Sequence, residues 1–270
     1  MDLSLTFNRE EKHTKESLDK YAKLISLCLK ESMKGNKVSF LYEDTNGHNF
    51  SYNKDICFYA ASSIKVLVCL QILKMAENNL IDLNKEILVK MEDLKQDTGI
   101  IKNQKEDTYY KIIDLIKLCI TESDNTAYLK LVDIVGFDNL KQYGLSMGAK
   151  HTMEGKDSFG IINATDMLIY WKNIREYLLG NYKYNKLFKE YLTHPSVKYV
   201  DDLNVDGTYV RKYGSWDIAY HEAGYVESDS SYYLIILTQL NKKEYKNEFV
   251  NEVAKDILEL HKTLKIKELI

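Results

Sequence analysis

FYAASSIKVLVCL, residues 58–70, is the stretch of sequence on which the fold depends. Small residues lead into two serines, a lysine follows Ser62 by three positions, and an apolar run continues the segment. Residues three apart share one face of a helix, so Ser62 Oγ and Lys65 Nζ are expected to lie one above the other. An ammonium group one turn inside an apolar helix is costly to bury. The pattern indicates either a serine nucleophile activated by an amine, or a helix-start serine followed by a lysine that reaches solvent.

The composition is that of a globular chain of 270 residues, long enough for one large domain or two interleaved lobes. Apolar residues make up 45% of the chain, which is ample for a core, and the formal net charge is −3. A surface without a general positive charge argues against nucleic acid as a partner. No apolar segment reaches the length of a membrane span.

The N-terminus and the cysteines bear on the compartment of the protein. The first ten residues, MDLSLTFNRE, lack the basic start and continuous apolar run of a signal peptide. The sequence as written therefore predicts a cytoplasmic protein, or an exported one if the N-terminus has been trimmed. Cys28, Cys57, Cys69 and Cys119 form no C-x-x-C pair and no histidine cluster of metal-ligand spacing. We expect free thiols and no metal.

Hydrophobic periodicity places strands toward the two ends of the chain and helices in its middle. Asn46-Gly47, between the first two strands, is a hairpin signal because this pair accepts positive φ. The predicted strands are Val38–Tyr42, His48–Tyr52, Thr208–Tyr213, Ala219–Val226 and Tyr232–Leu240. The predicted helices include Lys12–Met33, one from Ser62 onward, Thr108–Thr121, Phe137–Tyr143, Ala164–Leu178 and Lys243–Leu264.

These elements predict an α+β fold. A five-stranded antiparallel sheet is flanked by the N- and C-terminal helices, and an all-helical lobe is inserted between its strands. The sheet lobe is expected to comprise residues 1–60 and 205–270, and the helical lobe residues 61–204. The groove where the two lobes meet is a common place for a ligand site.

Two further motifs follow Ser62-Ser63-Ile64-Lys65. Ser123-Asp124-Asn125 lies in a predicted turn between helices, and Lys212-Tyr213-Gly214 lies on the first late strand. The three motifs resemble S-x-x-K, S-D-N and K-T-G of class A β-lactamases and penicillin-binding proteins. The likeness lies in their order, in the predicted elements that carry them, and in the step of 61 residues from Ser62 to Ser123. The resemblance extends from about Val38 onward. It implies the class A β-lactamase fold and a serine acyl-hydrolase.

The resemblance implies a catalytic role for four side chains. Ser62 is the expected nucleophile, and Lys65, with its pKa lowered by burial, is the expected base. Ser123 is expected to relay a proton to the leaving nitrogen. Lys212 is expected to hold a substrate carboxylate and to keep the site positive.

The resemblance also implies substrate-binding roles for Asn125, Gly214 and Ser215. Asn125 is expected to bond the amide side chain of a substrate, and the backbone N–H groups of Ser62 and Ser215 are expected to form the oxyanion hole. A side chain at Gly214 is expected to crowd a ligand lying along the strand. Asp124 is expected to brace its turn through backbone N–H groups instead of touching the ligand.

The loop between the second and third motifs departs from the family pattern. Class A β-lactamases carry a glutamate there that activates the deacylating water. Residues 149–160 form a short loop without a Glu-x-x-x-Asn pattern. Its carboxylates, Glu154 and Asp157, are expected to face solvent, so an acyl-enzyme is expected to turn over slowly.

Three further positions carry expectations that the structure can check. Tyr213 stands where the family usually has threonine or serine, and because adjacent strand residues face opposite sides, we expect it to point away from Lys212. His221-Glu222 resembles a catalytic pair, but a buried histidine with a structural partner is the expectation. Cys69 corresponds to a disulfide cysteine of some class A enzymes, but Cys119 is about one helical turn from the place of its partner.

The predicted function is a metal-free serine acyl-hydrolase, without a cofactor, that acts as a monomer on a β-lactam or related peptidyl amide. A D-Ala-D-Ala carboxypeptidase and a small esterase or amidase are alternatives that no sequence feature separates. A non-catalytic binder is the alternative of another class. The intact set of Ser62, Lys65, Ser123 and Lys212 argues against it, because binding alone does not require groups that handle protons.

Overall fold

The computed structural model describes residues 5–6, 15–155, 158–200, 205, 207–241 and 246–265. Its strands are β1 (Leu5–Thr6), β2 (Lys37–Asp44), β3 (Asn49–Tyr52), β4 (Phe58–Tyr59), β5 (Glu86–Val89), β6 (Thr108–Lys111), β7 (Ile161–Ile162), β8 (Thr208–Trp216), β9 (Ala219–Glu227) and β10 (Tyr232–Gln239). Its α-helices are α1 (Lys15–Met33), α2 (Lys65–Glu77), α3 (Ile112–Thr121), α4 (Asn125–Val135), α5 (Phe137–Ser146), α6 (Ala164–Leu179), α7 (Asn185–Thr193) and α8 (Lys246–Lys265). A 3-10 turn, Ala61–Ile64, leads directly into α2.

One antiparallel sheet has the strand order β1-β3-β2-β10-β9-β8. All five strands that the sequence predicts lie in this sheet, and the two-residue strand β1 adds a sixth at one edge. β8 forms the other edge, where Gly214 pairs with His221 of β9. The expected Asn-Gly turn joins β2 and β3, with Gly47 at φ +96°.

The sheet separates two hydrophobic cores. In β10, Leu234 and Ile236 face one core together with α1 and α8, while Ile235 and Leu237 face the other together with the inserted helices. This alternation follows from the two-residue period of a strand. α2 is apolar and buried around most of its circumference, as expected for a helix at the centre of a domain. The 3-10 turn that contains Ser62 therefore lies at the N-terminus of a helix that is buried on most sides.

The insert between β3 and β8 contains short strands as well as helices. The prediction of a helix from Thr108 was wrong at its start, because Thr108–Lys111 pairs with Glu86–Val89 and α3 begins at Ile112. Threonine and tyrosine are good strand formers, and β5 supplies the backbone partners that a strand needs. β4 and β7 form a second small ribbon.

Some predictions fall outside what the structure describes. The expected starts of the first and last helices, at residues 12–14 and 243–245, lie outside the described residues. The division into two lobes stays a prediction. Helix α7 was not predicted. No helix in the described part of the chain is long and apolar enough to cross a membrane.

Candidate active site

Ser62 lies in the 3-10 turn that precedes α2. The residue before it, Ala61, has φ +47°, a left-handed conformation uncommon for alanine that turns the chain sharply. Ser63 Oγ donates a hydrogen bond of 2.6 Å to the carbonyl of Ala60 and so braces the turn. Ser62 is 5% exposed and lines a cavity. Of the two serines, Ser62 is therefore the one presented to a ligand.

Lys65, at the start of α2, is completely buried and does not reach solvent. Its Nζ lies 2.5 Å from Ser123 O, 2.6 Å from Asn125 Oδ1 and 3.3 Å from Ser123 Oγ. Burial lowers the pKa of Lys65 to about 8. The hydrogen bonds that Lys65 makes to described residues run to the second motif and not to Ser62. Contacts of this kind often tighten only when a substrate binds.

The turn that carries Ser123 is held by its neighbour, Asp124. Asp124 Oδ1 accepts from Ala127 N at 2.9 Å, and its Oδ2 accepts from the backbone N–H groups of Ile100 and Ile101 at 2.7 and 2.8 Å. The expectation that Asp124 braces the turn is confirmed. Ser123 itself has φ +52°, so this bracing holds the residue in a conformation that serine rarely adopts.

Gly99 is required by the same turn. A Cβ at this position would lie 2.1 Å from Asp124 Oδ2, and its φ of +105° favours glycine. The loop before α3 and the turn that holds Ser123 are therefore in direct contact.

Lys212 reaches Ser123 from the sheet. Its Nζ lies 3.0 Å from Ser123 Oγ and 3.0 Å from the carbonyl of Tyr213, and the side chain is fully buried. Burial, followed by repulsion from the Lys65 ammonium, lowers the pKa of Lys212 to about 7. Two lysines from distant segments thus meet at a single hydroxyl.

Tyr213 does not point away from Lys212, so that prediction was wrong. Lys212 Nζ lies 3.9 Å from the centre of the Tyr213 ring, and the phenol interacts with the Ser123 side chain. Strand alternation fixes only the direction in which each Cβ leaves the strand. Farther from the backbone, the long side chains of Lys212 and Tyr213 bend toward each other at the edge of the sheet. An aromatic ring therefore lies against the cation that was expected to bind substrate.

Gly214 is needed for contact within the protein. A Cβ at Gly214 would lie 2.7 Å from the backbone N of Ser63 and 3.2 Å from the carbonyl of Ala60. The expected reason for this glycine, room for a ligand along the strand, is corrected: the 3-10 turn that carries Ser62 occupies that space. Close packing at Gly214 fixes the position of Ser62 relative to β8.

A cavity of about 200 Å³ opens above these groups. It is lined by Tyr59, Ala61, Ser62, Asp97, Asn125, Phe159, Ser215 and Trp216. Of the seven residues expected in the site, Ser62, Asn125 and Ser215 line the cavity. Lys65, Ser123 and Lys212 form the buried cluster described above, and Gly214 packs against the serine turn.

Sequence reasoning missed Asp97, Phe159 and Trp216 as cavity residues. Asp97 Oδ2 accepts a hydrogen bond of 3.0 Å from Asn125 Nδ2, so the Asn125 amide bridges Asp97 and Lys65. Trp216 directly follows Ser215 and is 51% exposed at the rim. The sequence offered one signal for Trp216, a tryptophan two positions after the third motif.

Phe159 comes from the loop in which a glutamate was sought. Its ring centre lies 4.9 Å from that of Tyr128, and Lys65 Nζ lies 5.9 and 5.7 Å from these two rings. Glu154 is paired with the His151 ring at 3.2 Å and its side chain is 44% exposed, which confirms that it faces solvent. Asp157 lies outside the described residues.

His221 and Glu222 are both used for structure, as expected. His221 Nε2 lies 2.8 Å from the carbonyl of Tyr59, and its Nδ1 accepts from Thr238 N at 3.2 Å. Burial lowers the pKa of His221 to about 4, so the ring is neutral and ties the segment before Ser62 to the sheet. Glu222 Oε2 instead accepts from the backbone N–H of Tyr199 at 3.0 Å.

The buried cysteines and possible metal ligands add no further chemistry to the site. The four cysteines are free thiols, and Cys69 and Cys119 form a hydrogen bond with each other, closer together than their sequence positions suggested. Within the described ranges, no group of histidine, cysteine, aspartate and glutamate residues is arranged to hold a metal ion.

A family model described as "Beta-lactamase enzyme family" matches residues 19–260. The chain belongs to the beta-lactamase enzyme family. This confirms the resemblance based on the three motifs and identifies the protein as a β-lactamase-like serine hydrolase. The search of curated proteins found no match.

Solved structures of β-lactamases and of PBP-A share the fold of this family member. A β-lactamase from Sphaerobacter thermophilus has 17% identity and a TM-score of 0.81, covering 88% of this chain and 97% of its own. A class A β-lactamase from Bacteroides cellulosilyticus has 21% identity and a TM-score of 0.78, covering 94% and 99%. A mutant of PBP-A, solved as an acyl-enzyme complex with penicillin G, has 16% identity and a TM-score of 0.82, covering 91% and 97%. The predicted class A β-lactamase-like α+β fold is confirmed.

Proposed function

We propose that the protein is a serine acyl-hydrolase in which Ser62 forms an acyl-enzyme with β-lactams or related amides and releases it slowly. One observation carries the proposal. Lys65 and Lys212 both lie within hydrogen-bond distance of Ser123 Oγ, directly below a cavity into which Ser62 is exposed. A nucleophile, an amine and a relay hydroxyl in one place suit acyl transfer.

In the acylation step, Ser62 Oγ attacks the carbonyl carbon of the substrate. The serine proton passes to the neutral Lys65 amine, the new C–O bond forms, and the carbonyl oxygen becomes an oxyanion. Backbone N–H groups of Ser62 and Ser215 are the proposed donors to that oxyanion. The C–N bond then breaks, and the proton reaches the leaving nitrogen through Ser123.

The lysine chemistry is supported by burial. A lysine acts as a base only when its amine is neutral, and a pKa of about 8 leaves Lys65 partly neutral near neutral pH. Lys212 Nζ donates to Ser123 Oγ at 3.0 Å and so orients that hydroxyl for the relay.

Slow release is supported by what surrounds Lys65. Deacylation needs a water molecule that a base activates, and among the described cavity residues the one carboxylate is Asp97, which is bonded to the Asn125 amide. Phe159 and Tyr128 place aromatic rings beside Lys65. We therefore expect water to attack the ester slowly, cleaving the acyl C–O bond and returning the proton to Ser62.

A small esterase or amidase is the second candidate. The cavity of about 200 Å³ is smaller than the ~300 Å³ at the lower end for sites that hold drug-sized ligands. The same nucleophile and bases serve ester and amide substrates, so this candidate differs in the substrate and not in the residues used.

The proposal is tested by measuring the intact mass of the protein after incubation with penicillin. We expect the wild-type protein to gain the mass of one acyl group and Ser62→Ala to gain none. Ser63→Ala is the matched control, because Ser63 is the neighbouring serine, bonded to Ala60 and absent from the cavity lining; we expect it to be labelled. Labelling of Ser62→Ala would contradict the assignment of the nucleophile.

A further inference from the structure

We infer that the site selects neutral ester or amide substrates over those that bear a free carboxylate, because the Lys212 ammonium is engaged by Ser123 and Tyr213 outside the cavity wall and Asp97 places a negative charge on that wall. The inference rests on the proposed acyl-hydrolase function and names its substrate class. It departs from the role that the motif resemblance implied for Lys212, which was to hold a substrate carboxylate.

Groups of the protein itself engage all three N–H donors of the Lys212 ammonium. An ammonium has three N–H donors. Two acceptors, Ser123 Oγ and the carbonyl of Tyr213, each lie at 3.0 Å, and the face of the Tyr213 ring lies 3.9 Å away, well within cation–π range. The lysine side chain has no exposed surface, and it is not part of the cavity wall.

Neighbouring residues hold the Tyr213 ring in place. Tyr213 is 5% exposed, and its ring packs edge-on against Tyr199 with 5.4 Å between centres. The backbone N–H of Tyr199 donates to the buried Glu222 carboxylate at 3.0 Å, and the Asn251 amide donates to the carbonyl of Tyr199 at 2.8 Å. To free this side of the Lys212 ammonium, the tyrosine ring would have to leave a packed environment.

The other buried cation is also occupied. Lys65 Nζ has acceptors at 2.5, 2.6 and 3.3 Å on Ser123 and Asn125, and the side chain is likewise completely buried. Neither lysine of the three motifs therefore presents a positive charge to the cavity.

The cavity wall carries a negative charge, opposite in sign to that of the two lysines. Among the described residues that line the cavity, the charged one is Asp97, whose carboxylate is exposed and accepts from Asn125. Lys102, the nearby lysine on the same loop, donates to the carbonyl of Asp97 at 2.7 Å and is not part of the lining. A substrate carboxylate would bring a second negative charge to this wall without a described cation to receive it.

The test uses two pairs of compounds that differ in one carboxylate. The first pair is benzylpenicillin and its methyl ester; the second is p-nitrophenyl hemisuccinate and p-nitrophenyl butyrate. The second-order rate constant for acylation of Ser62 is measured for each by stopped-flow absorbance and intact mass. Each neutral-to-anionic ratio is divided by the same ratio for alkaline hydrolysis in buffer, which removes intrinsic reactivity.

We expect the corrected ratio to favour the neutral member of each pair in the wild-type protein by about fivefold or more, as for an unpaired charge against a like-charged wall. Tyr213→Thr removes the ring from one side of the Lys212 ammonium, which frees an N–H donor, and should shift the ratio toward the anionic member by about tenfold. Tyr213→Phe keeps the ring and should leave the ratio unchanged. This variant distinguishes the effect of the ring from the effect of the hydroxyl. Asp97→Asn should shift the ratio by about twofold, because an exposed charge is screened.

Tyr209→Thr is the matched control, because it makes the same substitution on the same strand next to Arg211, with 4.9 Å between the guanidinium and the ring centre. It should leave the ratio unchanged. Acylation of Ser62 with a corrected preference for the anionic members in the wild-type protein would overturn the inference and leave the proposed function standing. Failure of all four compounds to acylate Ser62 would overturn the proposed function, and the inference with it.

Discussion

Lys65 and Lys212, which are 147 positions apart in the sequence, place their ammonium nitrogens 3.3 and 3.0 Å from the same atom, Ser123 Oγ. Lys65 comes from the central helix and Lys212 from the edge strand of the sheet. Both are completely buried, so water does not screen their repulsion. This arrangement is costly for folding, and its pKa consequences are those that a proton-transfer site requires.

The pH dependence of acylation follows from the lowered pKa of Lys65. Lys65 must lose its proton to act as a base, and its pKa is lowered to about 8. The neutral fraction therefore increases as the pH rises, and we expect the acylation rate constant to rise roughly tenfold or more between about pH 6 and about pH 8.5. The measurement is the acylation rate with a neutral ester at constant ionic strength. A flat or falling profile over this range would contradict Lys65 as the base.

The burial of Lys212 predicts a pH-dependent cost for stability. Its pKa falls from 10.5 in the free side chain to about 7 in the folded protein, so between these values the unfolded chain binds more protons. Because the unfolded chain binds the extra proton, lowering the pH favours unfolding. The free energy of unfolding should therefore increase as the pH rises through this window.

Lys212→Met removes that cost, because methionine is of similar length and carries no charge. We expect the variant to be more stable than the wild-type protein at about pH 6, by roughly 1–4 kcal/mol, with the advantage shrinking toward about pH 10. Urea unfolding of the two proteins at several pH values measures the stability difference and its change with pH. A variant that is less stable at every pH would show that the hydrogen bonds of Lys212 outweigh its desolvation.

Gly214→Ala should disturb the serine turn directly. The added Cβ would lie 2.7 Å from Ser63 N, so either β8 or the turn must move. We expect a loss of about 1–3 kcal/mol in the free energy of unfolding, as for overpacking, and a large loss of acylation. The measurements are urea unfolding and the acylation rate constant.

Gly148→Ala is the control for Gly214→Ala. No atom lies within 4 Å of the added Cβ there, while the φ of +98° makes alanine unfavourable. It should lower stability and leave acylation unchanged. Equal acylation by the two variants would mean that close packing at Gly214 does not position Ser62.

Asp124→Ala should affect both stability and chemistry. Asp124 accepts three backbone hydrogen bonds that hold the Ser123 turn. Their removal should cost about 1–3 kcal/mol and slow acylation, because Ser123 loses the support for its left-handed conformation.

Asn163→Ala provides the comparison for Asp124→Ala. Asn163 also caps a helix, accepting from Asp166 N at 2.7 Å, but it does not line the cavity. We expect similar destabilisation with normal acylation. If Asp124→Ala acylates as fast as Asn163→Ala, the turn is needed for folding only.

The sequence predicted the parts of the structure that local pattern determines. The apolar run of β10 and the Asn-Gly turn indicate strands of the sheet, and the order of the three motifs indicates which segments meet at Ser123. The bracing by Asp124 was also predictable, because aspartate at the start of a helix has one common use.

Other features depend on contacts between distant segments, which the sequence does not encode locally. The Tyr213 ring lies over Lys212 although strand alternation predicted the opposite. Phe159 and Asp97 reach the cavity from loops, where no periodicity fixes the direction of a side chain. Thr108–Lys111 became a strand because β5 lay beside it.

The central claim, that Ser62 is a nucleophile supplied with proton-handling groups by the other two motifs, is tested most directly by mapping the site of acylation. The protein is incubated with a fluorescent penicillin and with a fluorescent neutral activated ester, digested, and sequenced by mass spectrometry. We expect the label on Ser62, abolished in Ser62→Ala and greatly slowed in Lys65→Met. A label on another residue, or one that Lys65→Met leaves unchanged in rate, would contradict the account.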